Sequence, residues 1–186
     1  MEIIMTKVIF IPGNSGGSPK DIWFPSVKME LEANGLQVIS EEFPDNDLAR
    51  SSIWIPFLIN DLKADKDTIL VGHSSGAVAA MRFAEHYPLQ GSVLVGPSHT
   101  DLGIEKERLS GYFDTPWQWS NIRNNQTWIA LFASQDDPFI PVEQARYIHT
   151  QLNCEYHEFE HEGHFIDKLT FPELSQGIIR RANDCK

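Results

Sequence analysis

Three segments of this chain carry residues whose types and spacing could do nucleophilic chemistry. The first is Gly72-His73-Ser74-Ser75-Gly76, a G-x-S-x-G arrangement. By composition such a match arises by chance in about one chain in twenty of this length, so its setting has to decide its meaning. It follows a short apolar run at residues 68–71 and opens an alanine-rich stretch at 75–87. That is the strand–turn–helix context in which a serine is held on a sharp turn with its hydroxyl exposed. Gly72 and Gly76 flank the turn at positions where side chains would collide across it. Of Ser74 and Ser75, only Ser74 has a glycine two places before and two places after it. Ser74 is therefore the candidate nucleophile, and Ser75 offers its backbone amide. The plain alternative is a strand-to-helix loop with a capping serine.

A serine hydroxyl is a poor nucleophile without a base, and the base needs an acceptor that fixes its tautomer. Chains with this turn supply the acid and then the histidine further along. The second segment, after an apolar run at 127–132, is Ser134-Gln135-Asp136-Asp137-Pro138-Phe139-Ile140-Pro141. Asp136 and Asp137 both qualify as the acid. The D-P-x-x-P arrangement favours Asp137, although Asp-Pro is also good turn chemistry by itself. The third segment is His161-Glu162-Gly163-His164-Phe165, ahead of the last helix. His164 is the candidate base and His161 the fallback. Charge developing on an attacked carbonyl oxygen needs preorganised donors. One is the Ser75 amide. The other is expected from the loop after the first strand, Pro12-Gly13-Asn14-Ser15-Gly16-Gly17, where the Asn14 amide is the choice. The same loop lacks the lysine and the glycine spacing of a nucleotide cradle.

A competing motif is His157-Glu158-Phe159-Glu160-His161, which matches the H-E-x-x-H of zinc hydrolases. That chemistry needs both histidines on one helical face. Here the match falls in a short segment expected to be a strand, where the two rings would stand roughly 13–14 Å apart, too far for one ion. No metal and no cofactor is expected.

The elements that must hold these residues alternate along the chain. Strands are expected at residues 8–11, 36–43, 68–71, 92–95, 127–132 and 155–159. Helices are expected at 23–33, 52–63, 75–87, 142–152 and 172–181, with Pro56 near the start of the second or kinking it. Wholly apolar strands separated by helices imply an α/β fold with about six parallel strands and helices on both faces. In such sheets the active site lies beyond the carboxyl ends of the strands. The candidate residues all follow strands. The longest segment between core strands, about 97–124, is expected to form a short cap-like element. Trp117, Trp119 and Phe139 are candidates for the pocket wall, with core packing an equal reading for the two tryptophans.

The chain has 186 residues, 41% of them hydrophobic and 22% charged, which suits one domain spanning 1–186. A net charge of −11 repels phosphate backbones and argues against nucleic acid as a partner. No apolar run reaches the roughly 20 residues of a membrane span, and the opening MEIIMTKVIF has no leader pattern, so a cytoplasmic protein is expected. Cys154 and Cys185 form no metal-spaced pair and read as incidental thiols of a reduced compartment.

With these residues placed, the chain resembles the family of small serine hydrolases related to retinoblastoma-binding protein 9. The matching segments are PGN-x-GG near the start, SIWIPF (52–57), VGHSSGAVAAMRFAE (71–85), DLG…ER-x-SGYF-x-x-PWQW (101–119), DDPFIP (136–141) and GHF (163–165). The resemblance implies a reduced α/β-hydrolase fold whose sheet begins with the strand leading to PGN. It implies a triad of Ser74, Asp137 and His164 that cleaves small ester or amide substrates through an acyl-enzyme. An acyl or aminoacyl small molecule is the expected partner. Binding to retinoblastoma-type pockets is not expected, because the nearest approach to L-x-C-x-E is Leu152-Asn153-Cys154-Glu155-Tyr156. The same fold with an idle triad would instead be a protein-interaction module. Labelling with a fluorophosphonate separates the two.

Overall fold

The structure is a computed structural model that describes residues 6–184, so Cys185 and the first five residues of the opening segment lie outside it. Six strands form one sheet: β1 (Lys7–Ile11), β2 (Gln37–Ile39), β3 (Thr68–His73), β4 (Leu89–Val95), β5 (Gln126–Ser134) and β6 (Glu155–Phe159). Their order is β2-β1-β3-β4-β5-β6, and every neighbouring pair is parallel. The expected architecture is therefore the observed one. Apolar residues alternate between two cores, as the period of a strand requires. Ile9, Ile11, Leu70, Leu94 and Leu131 point to one face, where α2 (Ser51–Asn60), α3 (Ser75–Ala84), α5 (Trp119–Asn124) and α6 (Val142–Leu152) pack. Val8, Phe10, Ile69, Val71, Val93 and Phe132 point to the other, under α1 (Phe24–Ala33) and α7 (Pro172–Asp184).

The helix boundaries have local causes. Trp23, Val27 and Leu31 are all fully buried, as their four-residue spacing predicts. Helix α1 ends at Gly35, whose φ of +80° suits a residue without a Cβ. There the Leu36 amide bonds the Leu31 carbonyl and the Gly35 amide bonds the Glu32 carbonyl, which satisfies two terminal acceptors. Pro56 lies inside α2, not near its start. It sits on the exposed side, as does Ser52, whose carbonyl it leaves without a helical partner.

Two expectations on strand length need correction. The second strand is three residues long, not eight. Beyond Ile39 the chain leaves the sheet edge, and Phe43 turns into the core against Trp54 and Phe57, with ring centroids 4.9 and 5.0 Å apart. Its apolar residues report burial without sheet pairing. The fourth strand starts earlier than expected, at Leu89, because the Leu89 amide already bonds the Asn125 carbonyl.

The strand order reverses direction between β1 and β3. The chain moves outward from β1 to β2 and then returns to the other side of β1. In open parallel sheets a crevice forms at such a switch point, outside the carboxyl ends. The loops after β1 and β3 meet there, and the loops after β5 and β6 reach it from the side. The 97–124 segment divides in two. Helix α4 (Glu105–Leu109) lies over this crevice. The remainder is anchored elsewhere by Arg82, a buried guanidinium that donates to the carbonyls of Tyr112 and Thr115 at 2.7 Å each and pairs with Glu85 at 2.7 Å. Arg82 also lies 3.6 Å over the Trp117 ring. No helix among the described residues is long and apolar enough to cross a membrane.

Candidate active site

Ser74 stands between β3 and α3 with φ 55° and ψ −119°. For a residue with a Cβ this is a strained turn, costing on the order of 1–3 kcal/mol. The surroundings hold it. The Ser74 amide donates to the Val95 carbonyl at 2.8 Å, and its carbonyl accepts the Ala77 amide at 2.9 Å. The flanking glycines permit the close approach. A Cβ on Gly72 would overlap the backbone of Gly76, and a Cβ on Gly76 would overlap the carbonyl oxygens of Ile11 and Pro12. These are backbone atoms that no rotamer change can move. Gly76→Ala is thus expected to destabilise the fold by about 3 kcal/mol, seen as a melting temperature roughly 6–12 °C lower. An unchanged melting temperature would show that the helix and β1 can separate freely.

The loop after β6 carries His164, which is buried, and the loop after β5 carries Asp137. His164 Nδ1 lies 2.7 Å from Asp137 Oδ2. The other carboxylate oxygen, Oδ1, accepts the amides of Phe139 at 2.8 Å and Ile140 at 2.9 Å. Asp137 is thereby fixed on both oxygens. With the Nδ1 proton directed to Asp137, the Nε2 lone pair of His164 is available as an acceptor.

The two alternatives fall elsewhere. Asp136 Oδ1 accepts the Ser134 hydroxyl at 2.7 Å and the Gly163 amide at 2.9 Å, so it holds the loop and not the ring. His161 is 84% exposed and 3.8 Å from Asp136. The H-E-x-x-H match is not helical. His157 lies on β6, stacked on Phe132 and bonded to Glu155 at 2.7 Å, while His161 lies past the strand's end. Among the described residues no group of three or more metal-ligating side chains gathers. Burial pushes the Cys154 thiol up to about 11, as expected of an unreactive one.

Asn14, Ser74, Phe139 and His164 all line one cavity of about 460 Å³. Among the described residues no backbone hydrogen bond takes up the Asn14 amide, although the amides of Ser15, Gly16 and Gly17 are all used. Ser75 is the first residue of α3, and a helix's first amides have no partner within the helix. Ser74 Oγ and His164 are not joined by a hydrogen bond here; such contacts often close only when substrate is bound. Phe139 packs edge-on to His164 with centroids 5.3 Å apart and is 55% exposed at the cavity mouth. Trp117 and Trp119 do not line the cavity. They stack on one another at 5.3 Å and pack against the core on the α3 side, with the Trp117 indole donating to the His99 carbonyl at 2.8 Å. Core packing is the reading the structure selects for them.

Three residues join the site that sequence reasoning did not single out. His73 is buried and its Nε2 donates to the His164 carbonyl at 2.8 Å, tying the Ser74 turn to the His164 loop. Burial pushes its pKa down to about 3, so it remains neutral. Gly96, at φ +58°, lies under the imidazole, and a Cβ there would come within 3.1 Å of His164 Cε1. Glu107, on α4, accepts a hydrogen bond from the Asn14 side chain at 2.7 Å. His73 occupies the unspecified position of the motif, and Glu107 lies in the ER-x-SGYF segment. Neither position signals its partner.

Comparison with known proteins bears on the chain as a whole. A family model described as "Serine hydrolase" matches residues 8–181. Serine hydrolase RBBP9 of Rattus norvegicus is 43% identical over 171 residues, covering 91% of each chain. YdeN of Bacillus subtilis is 30% identical over 178 residues, covering 91% of this chain and 92% of its own. The crystal structure of the B. subtilis ydeN product superposes with a TM-score of 0.87 at 25% identity, over 96% of this chain and all of that one. The Pyrococcus furiosus esterase Pf2001 superposes with a TM-score of 0.67 at 13% identity, over 98% of this chain and 83% of that one, a likeness of fold alone.

Proposed function

The chain belongs to the serine hydrolase family, and from that premise we propose that it hydrolyses small esters or amides through an acyl-enzyme on Ser74. The observation that carries the reading is the 2.7 Å contact of His164 Nδ1 with Asp137 at a cavity that also receives the strained Ser74 turn. His164 Nε2 takes the Ser74 proton as Oγ attacks the substrate carbonyl. The amides of Asn14 and Ser75 receive the oxyanion. His164 then hands its proton to the leaving group, and the acyl group stays on Ser74. A water, deprotonated by His164, attacks the ester, and collapse returns the serine. Asp137 holds the ring in the required tautomer and offsets the charge it gains. The cavity mouth carries Ile22, Ile104, Phe139 and Ile166, which suits an apolar acyl or aminoacyl group.

A fluorophosphonate tests this directly. Its phosphorus takes the place of the carbonyl carbon and traps an activated serine. We expect stoichiometric labelling, with mass spectrometry placing the adduct on Ser74. Absence of labelling, or an adduct on another residue, would overturn the mechanism and favour a non-catalytic role for the fold.

A further inference from the structure

Glu107 takes no part in the proton transfers above, yet it is a half-buried carboxylate lining the same cavity as Ser74. Burial raises its pKa, and the hydrogen bond from Asn14 opposes that rise. The Asn14 side chain donates to Glu107 Oε1 at 2.7 Å, across 93 residues of sequence. The neighbouring Lys106 reaches the same loop. Its ammonium lies 2.6 Å from Asp47 Oδ1 and 3.4 Å from the Ser15 hydroxyl, and the Asp47 carbonyl accepts the Ser15 amide at 3.1 Å. Two adjacent residues of α4 thus grip two adjacent residues of the loop after β1.

This loop has a specific mechanical problem. Its conformation depends on Gly16 at φ +85° and on Ser15, a residue with a Cβ, at φ +57°. Glycine-rich backbone loses much freedom on being fixed. The Asn14 amide cannot anchor the loop, because it must stay free to receive substrate. The amides of Ser15 and Gly16 bond the carbonyls of Asp47 and Asn46, so at Asn14 itself the anchor comes through the side chain. A charge-assisted bond to a carboxylate, partly shielded from water, is a strong way to supply one.

We infer that Glu107 is a positioning residue that holds the Asn14 amide in place for the oxyanion by bonding the Asn14 side chain. The inference rests on the reading that Ser74 is the nucleophile and that this amide is an oxyanion donor. A donor displaced by an ångström loses its effect mainly in the transition state, so the loss appears in kcat and not in KM.

The test is steady-state hydrolysis of p-nitrophenyl acetate, a neutral substrate, by the wild type, Glu107→Ala, Glu107→Gln, Asn14→Ala and the double variant Glu107→Ala/Asn14→Ala. Glu107→Ala should lower kcat by about tenfold to a hundredfold with KM within about twofold of wild type. Glu107→Gln keeps an oxygen for Asn14 and should stay within about threefold of wild type. Asn14→Ala keeps the backbone amide, loses the tether and should fall as far as Glu107→Ala. The double variant should be no worse than either single one, because both remove the same bond. An unchanged kcat in Glu107→Ala, a Glu107→Gln variant as slow as Glu107→Ala, or additive losses would each overturn the inference. Should Glu107→Ala fail to fold, Asn14→Ala against wild type carries the same comparison. A wild type that neither turns over the ester nor takes the fluorophosphonate removes the Ser74 reading itself. An active wild type with an unaffected Glu107→Ala removes only the tether.

Discussion

Replacing Ser74 by alanine is expected to lower kcat for a p-nitrophenyl ester by about a millionfold. The change removes the only oxygen of the protein that bonds covalently to substrate in the proposed mechanism. It leaves the cavity, His164 and both oxyanion amides in place, so a residual acceleration of about 10³ over water should remain. His164→Ala should fall to the same floor, and the double variant no lower, because nucleophile and base act as a unit. Ser75→Ala provides the contrast. The Ser75 hydroxyl is buried and makes no hydrogen bond among the described residues, so only its backbone amide enters the mechanism. That variant should remain active. A Ser74→Ala enzyme retaining more than about a hundredth of wild-type kcat would sink the assignment. So would a Ser75→Ala enzyme that loses activity while still folded.

Asp137→Asn should lower kcat by about ten-thousandfold while the protein folds normally. The reason lies in the two bonds at Asp137 Oδ1. The amides of Phe139 and Ile140 both donate there, so an asparagine at this position would keep its oxygen toward them. Its NH₂ group would then face His164 Nδ1. Two donors cannot share that contact, so the imidazole proton moves to Nε2, which can no longer accept from Ser74. Asp136→Asn should behave differently. An asparagine oxygen can still accept from the Ser134 hydroxyl and the Gly163 amide, so kcat is expected within about tenfold of wild type. Measuring kcat for the two variants side by side separates the adjacent aspartates. Equal losses would mean that the loop as a whole, and not the Asp137 contact, sets the activity.

Adjacent aspartates mark the boundary of what the sequence alone conveys. The alternation of apolar strands and amphipathic helices was legible because each element buries one side against a common sheet. The turn at Ser74 was legible because a crowded backbone crossing admits only glycine at Gly72 and Gly76. The choice between Asp136 and Asp137 was less so. It depends on which carboxylate faces the ring, and neighbours in a turn point in different directions. The bonds of Asn14 to Glu107 and of His73 to the His164 carbonyl span 93 and 91 residues, and no local spacing records either. Trp117 and Trp119 have a composition that suits a pocket wall or a core equally well. Arg82 on α3, paired with Glu85 just past the helix end, draws their segment away from the cavity, through contacts the order of residues does not reveal. The apolar run at 36–43 outlasts the second strand for a related reason: Phe43 is apolar because it meets Trp54, not because it pairs in the sheet.

The position of β6 has a consequence for how such an enzyme would wear out. Ser74 follows β3, which is paired on both sides, with β1 and with β4. His164 follows β6, which among the described residues is paired on one side only, and all five residues of that strand are partly exposed. Opening free energies differ across a protein, and a rim strand belongs to the cheaper end. A brief parting of the seam between β5 and β6 would carry the imidazole away from a Ser74 hydroxyl that had not moved. Ser74 would then be an ordinary alcohol inside an otherwise intact sheet. On this geometry the working lifetime of the catalyst is set at its margin, not at its centre.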